Sequence, residues 1–115
     1  MNTRSYIFEI APQAKERANK GRTKLATRTW EELVSESARE QNEEMGWAPL
    51  EGANLTVSAV FEVKRRKGDL SNFLKSIEDA LNGIAYEDDE QICHITSSIY
   101  DGMERNCIRV RICEL

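Results

Sequence analysis

Residues 55–84 read LTVSAVFEVKRRKGDLSNFLKSIEDALNGI, and this stretch decides the fold because its apolar period changes partway along. Over 55–63 the apolar residues alternate, which is typical of a strand with one buried face. From Leu70 to Ile84 they recur at helical spacing, which predicts a helix that packs on the core. Asn82 and Gly83 predict the end of that helix. A strand followed by a core helix indicates a domain that combines a sheet with packed helices.

The flanking sequence supplies one strand and one helix before this unit and two strands after it. Alternating apolar residues predict a first strand over 5–10, and charged residues without periodicity predict a loop over 15–24. The sequence TWEE at 29–32 has the form of a capping box, which predicts a helix over 30–44. Segments 92–100 and 106–113 predict a terminal hairpin around Asp101 and Gly102.

The predicted order is therefore β-α-β-α-β-β, an α+β domain in which two helices pack on a small mixed β-sheet. The 115 residues are expected to form a single domain over 1–115. No apolar run approaches the roughly 20 residues that span a bilayer, and no signal pattern is present, so we expect no membrane contact and a cytoplasmic location. The three cysteines lack the CxxC spacing of a zinc site and are expected to be reduced.

The net charge of −4 does not favour a nucleic-acid partner, but the basic residues are gathered in two places. One is the loop over 15–24, and the other is a basic cluster of Lys64, Arg65, Arg66 and Lys67. A local positive surface is enough to bind phosphates, although a charge run can equally be a solvated surface. The basic residues of the loop are Lys15, Arg17, Lys20, Arg22 and Lys24.

Residues 67–92 bring together the side chains that a divalent metal and a phosphodiester would need. Asp69 precedes the predicted helix, Lys75 lies on its polar face, and an acidic segment, 87–90, follows its far end. Mg²⁺ prefers oxygen ligands, and a helix N-terminus favours phosphate. Structural explanations also fit, because aspartate is a preferred N-cap, Lys75 and Asp79 have the spacing of a surface ion pair, and an acidic turn is readily solvated.

The same residues resemble the RusA-type Holliday junction resolvases. The similarity rests on Asp69, Asn72 and Lys75, on DALNGIAY at 79–86 and on DDEQI at 88–92, and more weakly on IAPQAKER at 10–17. Length and element order also agree, so the resemblance covers nearly the whole chain. It implies a small homodimeric endonuclease, of a kind often carried by prophages, that cuts four-way DNA junctions with Mg²⁺ as cofactor, or with Mn²⁺ in its place.

Carried over by position, the resemblance implies that Asp69 and Asp89 bind the metal and that Asp88 is a neighbouring acid with a less defined part in the metal site. It implies that Lys75 is the catalytic lysine. The basic loop and the basic cluster would then hold the junction arms through phosphate contacts.

Ser71 departs from the family pattern, which has a second aspartate two residues after the first. A neutral hydroxyl is a poor replacement for a carboxylate ligand, and Glu62 on the preceding strand is the one candidate to compensate. A junction-binding protein with lost or weak catalysis is therefore an alternative to the nuclease. A small acidic interaction domain without a nucleic-acid partner is a third, weaker hypothesis.

Overall fold

The computed structural model describes residues 2–13 and 25–115, so the basic loop residues Lys15, Arg17, Lys20, Arg22 and Lys24 lie outside the described residues. The observed order confirms the predicted β-α-β-α-β-β arrangement and its α+β class. The elements are β1 (Thr3–Phe8), α1 (Leu25–Met45), β2 (Leu55–Glu62), α2 (Leu70–Leu81), β3 (Ile92–Tyr100) and β4 (Cys107–Glu114), with a short 3₁₀ turn (Asp89–Gln91) before β3.

The four strands form one mixed sheet in the order β1-β4-β2-β3. β3 lies parallel to β2, whereas β4 lies antiparallel to β2 and to β1. The predicted hairpin of the last two strands is therefore wrong, because β2 lies between them. The connection 101–106 is long enough to cross the roughly 10 Å between next-nearest strands. β4 takes an interior position because Ile108, Val110 and Ile112 are fully buried.

Both helices pack on one face of the sheet and enclose the core. α1 begins at Leu25 rather than at Trp30, so the predicted capping box lies inside the helix. The reason is local: Leu25 and Ala26 are good helix formers, and no Gly or Pro follows them in the helix. The buried stripe of α1 is Trp30, Val34 and Ala38, while Leu33 is exposed.

α2 matches its prediction closely, because Asp69 is its N-cap and Asn82 its C-cap. Gly83 follows with φ of +79°, a conformation that glycine adopts without strain. The side chains that α2 buries are Phe73, Ser76, Ile77, Ala80 and Leu81.

One buried polar side chain connects three parts of the fold. Asn42 of α1 accepts a hydrogen bond from the Tyr6 hydroxyl (2.6 Å) and donates one to the carbonyl of Ile84 (3.0 Å). This arrangement links α1 to β1 and to the turn after α2, and it satisfies all three polar groups. None of the helices in the described part of the chain is long and apolar enough to cross a bilayer. The three cysteines are free thiols.

Candidate active site

Asp69 lies at the N-terminus of α2 as its N-cap. One carboxylate oxygen accepts from the Asn72 backbone N–H (2.9 Å), and the other accepts from the Asn72 side-chain amide (3.1 Å). The Asp69 carbonyl accepts the first helical bond from Phe73 (3.1 Å). The carboxylate is exposed, and each of its oxygens keeps a further acceptor position. The cap therefore fixes the Asp69 side chain at the positive end of the helix dipole, and both of its oxygens can still accept further bonds.

Ser71 is exposed in the first turn of α2, so only its neutral hydroxyl is offered where the family pattern has a carboxylate. Glu62 does not supply the missing charge there. Its Oε1 accepts a hydrogen bond from Arg109 Nε at 2.7 Å, and its side chain lies on the sheet face opposite the helices. The compensation that the sequence suggested is therefore replaced by an ion pair with β4.

The acidic segment enters the 3₁₀ turn with a defined backbone. Asp88 is the cap of this turn, and its Oδ1 accepts from the Glu90 N–H (3.3 Å). The Asp88 N–H in turn donates to Gln91 Oε1 (2.7 Å). These two bonds fold residues 88–91 into a compact turn that presents Asp88 and Asp89 side by side.

The electrostatics connect this turn to α2. The side-chain hydrogen bond with Asp88 raises the pKa of Asp89. Partial burial and the charges of Asp88 and Asp79 raise this pKa further, whereas the charge of Lys75 lowers it. Burial raises the pKa of Glu78. The charge of Lys75 lowers this pKa, and the charges of Asp89 and Asp79 raise it. Lys75 and Asp89 therefore lie within electrostatic reach of each other across the two elements.

Tyr86, which lies in the chain between α2 and the 3₁₀ turn, contacts α2. It is buried, and its hydroxyl donates to the carbonyl of Glu78 on α2 (2.7 Å). Burial, followed by the Glu78 charge, raises the pKa of the Tyr86 phenol, so the hydroxyl stays protonated as a donor. Neither Glu78 nor Tyr86 was singled out from the sequence. Glu78 follows Lys75 by three residues, and that spacing was the available signal.

The predicted site residues thus fall into two groups along α2. Lys75, midway along α2, lies within electrostatic reach of Asp89, and Asp88 adjoins Asp89 in the chain. Asp69 precedes Lys75 by about 9 Å of helix axis. Within the described residues, no three His, Cys, Asp or Glu side chains are grouped closely enough to hold a metal ion. Mg²⁺ in phosphoryl-transfer sites is commonly held by one or two carboxylates, with waters and phosphate oxygens completing the shell. The paired carboxylates of Asp88 and Asp89 fit that donor set.

The basic cluster connects β2 to α2, and all four of its side chains are exposed. Its backbone is held by the connection between β3 and β4. Lys64 N–H donates to Asn106 Oδ1 (2.9 Å), and Arg66 N–H donates to Asp101 Oδ1 (3.0 Å). The Arg66 guanidinium donates to the Gly68 carbonyl (3.0 Å). The cluster is therefore a supported positive surface that leads directly into the N-terminus of α2.

Comparison with known proteins identifies the family of the chain. The family model of endodeoxyribonuclease RusA matches residues 8–112, which include all of α1, β2, α2 and β3, most of β4 and only the last residue of β1. No curated protein matches the chain. A match over nearly all of the 115 residues shows that the chain belongs to the endodeoxyribonuclease RusA family, a nuclease family that resolves Holliday junctions.

Proposed function

We propose that the chain is a Mg²⁺-dependent endodeoxyribonuclease that cuts four-way DNA junctions as a homodimer, in recombination and repair. The observation that carries the proposal is that Lys75, exposed on α2, lies within electrostatic reach of Asp89, whose carboxylate is paired with that of Asp88. A cation and two acids on rigid elements are what a scissile phosphate and its metal require.

In this proposal Asp88 and Asp89 would hold Mg²⁺, or Mn²⁺ in its place. Asp69, which is not grouped with them among the described residues, would join them only when the metal draws the carboxylates together. When bound, the metal would lower the pKa of a water for attack and offset charge on the phosphate. Lys75 would bind a non-bridging oxygen of the scissile phosphate and stabilise the charge that develops there. The cap bonds from Asn72 would keep the Asp69 carboxylate oriented while it does so.

The basic cluster and the basic loop residues would hold the junction arms by their phosphates. Such contacts position a duplex without reading its sequence, which suits an enzyme that selects DNA by its branching. A two-fold symmetric dimer would present two sites to the two strands that must be cut.

A junction-binding protein with weak catalysis is the second candidate, and two observations favour it. Ser71 offers no carboxylate, and Glu62 is already paired with Arg109. Neither observation affects the basic cluster, so this candidate predicts that binding survives while cutting is slow.

The test is a labelled synthetic four-way junction incubated with the wild type or Ser71→Asp, in Mg²⁺ and in Mn²⁺. The nuclease predicts metal-dependent cutting by both proteins, with Ser71→Asp at least tenfold faster at low metal. Binding without cutting that Ser71→Asp rescues supports the second candidate. Ser5→Asp is the charge-matched control, because it adds the same charge on exposed β1, the sheet edge opposite β3. The absence of salt-sensitive junction binding would eliminate both candidates.

A further inference from the structure

We infer that Gln91 is a positioning residue that holds Asp88 and Asp89 in register with Lys75. The inference rests on the proposed function, but its structural part is testable by itself. Gln91 is the last residue of the 3₁₀ turn and the first polar side chain before β3. It is partly buried, and its side chain turns back under the segment that carries the two carboxylates.

All the hydrogen-bonding groups of the Gln91 amide are occupied by backbone. Oε1 accepts from Asp88 N–H (2.7 Å), and Nε2 donates to the carbonyls of Leu50 (2.9 Å) and Gly52 (2.8 Å). Only a carboxamide offers an acceptor and two donors on one short side chain without a charge. Gln91 therefore clamps the start of the acidic turn to residues 50–52, about forty positions earlier in the chain.

The partner of the clamp is itself fixed. Leu50 is buried. Its N–H donates to the carbonyl of Ala85 (3.0 Å), and its own carbonyl also accepts from the Glu87 N–H (3.3 Å). Gly52 N–H donates to Glu114 Oε2 (2.9 Å) at the end of β4. A Cβ at position 52 would lie 2.5 Å from Glu114 Cγ, so this close approach depends on glycine. Gln91 thus bonds the turn to residues 50–52, which contacts with the core and with β4 hold in place.

Asp88 and Asp89 need the support of the Gln91 bonds because the negative charges of the acidic segment repel one another. Four consecutive acids, 87–90, repel one another, and Asp88 and Asp89 lie close enough to share a hydrogen bond. A free turn would relieve the repulsion by moving these side chains apart, and their spacing to each other and to Lys75 would no longer be fixed. Metal and phosphate geometry tolerates displacements of only about 0.5 Å, so the clamp is expected to matter to the reaction more than to folding.

The chain contains a matched control for this inference. Gln41 makes the same kind of clamp on Ile7, accepting from its N–H (3.1 Å) and donating to its carbonyl (3.0 Å), with a further bond to Ser37 Oγ (3.1 Å). Gln91→Ala and Gln41→Ala therefore remove similar sets of bonds, one beside the carboxylates and one on β1. A purely structural role for Gln91 predicts that the two variants bind Mn²⁺ and cut the junction alike, even if exchange near residue 91 differs.

The experiment compares both variants with the wild type by hydrogen exchange, Mn²⁺ titration followed by electron paramagnetic resonance, and junction cleavage. In Gln91→Ala the amides of 86–92 are expected to exchange at least tenfold faster than in the wild type, and Mn²⁺ is expected to bind at least tenfold more weakly. Its kcat is expected to be lower, while its junction affinity stays within twofold. Gln41→Ala is expected to change none of these by more than twofold. Gln91→Glu keeps the acceptor but sets a carboxylate against two carbonyls, so its Mn²⁺ affinity should fall at least as far.

The outcomes separate the inference from the function on which it rests. Equal exchange over 86–92 in the two alanine variants, or equal Mn²⁺ affinity and kcat, overturns the positioning role. A wild type that binds the junction but neither binds Mn²⁺ nor cuts overturns the proposed nuclease. In that case the exchange comparison still decides whether Gln91 holds the acidic turn.

Discussion

The Tyr6 hydroxyl lies in the core and donates to Asn42 at 2.6 Å, so ionising it would cost both burial and a hydrogen bond. Burial raises the pKa of Tyr6 to about 12, with the nearby Arg4 charge acting in the opposite direction. Because the folded pKa lies above the unfolded value near 10, this stabilisation is complete below pH 10 and is lost as the pH rises through about 12. The expected loss attributable to Tyr6 is about 2–3 kcal/mol at most.

Urea unfolding at intervals from pH 8 to pH 12 measures this loss. Tyr6→Phe should be less stable than the wild type at pH 8, by about 1–2 kcal/mol, because Asn42 loses its donor. Its free energy of unfolding should then fall less between pH 10 and pH 12, so the two curves converge. Tyr100→Phe is the control, since Tyr100 is 54% exposed, and it should keep the wild-type slope. Parallel curves for wild type and Tyr6→Phe would contradict the prediction.

At the scale of the elements, what is encoded locally could be predicted and what depends on pairing could not. The bounds of α2 and its Asp69 cap follow from apolar spacing and cap chemistry within the segment itself. The strand order does not, because Asp101-Gly102 indicates a turn whether the next strand pairs with β3 or crosses β2 and pairs with the far side of β2. The contacts of Gln91 with residues 50 and 52 are equally non-local. No periodicity signals them.

The two explanations of Asp69, helix cap and metal ligand, are separable because asparagine caps a helix about as well as aspartate. Asp69→Asn keeps an oxygen for the Asn72 N–H and should change the free energy of unfolding by less than about 0.5 kcal/mol, whereas Asp69→Ala should cost about 1 kcal/mol. If Asp69 is also a ligand, Asp69→Asn should slow cutting by more than the roughly 10- to 100-fold typical of outer-shell losses. Wild-type cutting by a stable Asp69→Asn protein would leave Asp69 as a cap alone.

For the whole molecule, the question is how a chain with a net charge of −4 binds DNA. We propose that the distribution of charge answers it, because the basic cluster is exposed on a supported backbone, while half of the 20 acidic residues lie in α1 and the acidic segment. Phosphate binding releases counterions, so log K against log salt has a slope of about −0.9 per contact. Replacing Arg65 and Lys67 with alanine should therefore make the slope shallower by about 1.8 for each protomer that contacts the junction, and weaken binding at low salt.

The matched control replaces Arg28 and Arg39, both exposed on α1, and so removes the same charge from another surface. Junction affinity measured by fluorescence anisotropy across a salt series distinguishes the two variants. If the overall charge governed binding, both would weaken equally and keep parallel slopes. A local interface requires that only the Arg65→Ala/Lys67→Ala protein loses slope, because counterions are released only where phosphates are contacted. That difference would show that an acidic protein binds DNA through the surface that leads into Asp69 and α2.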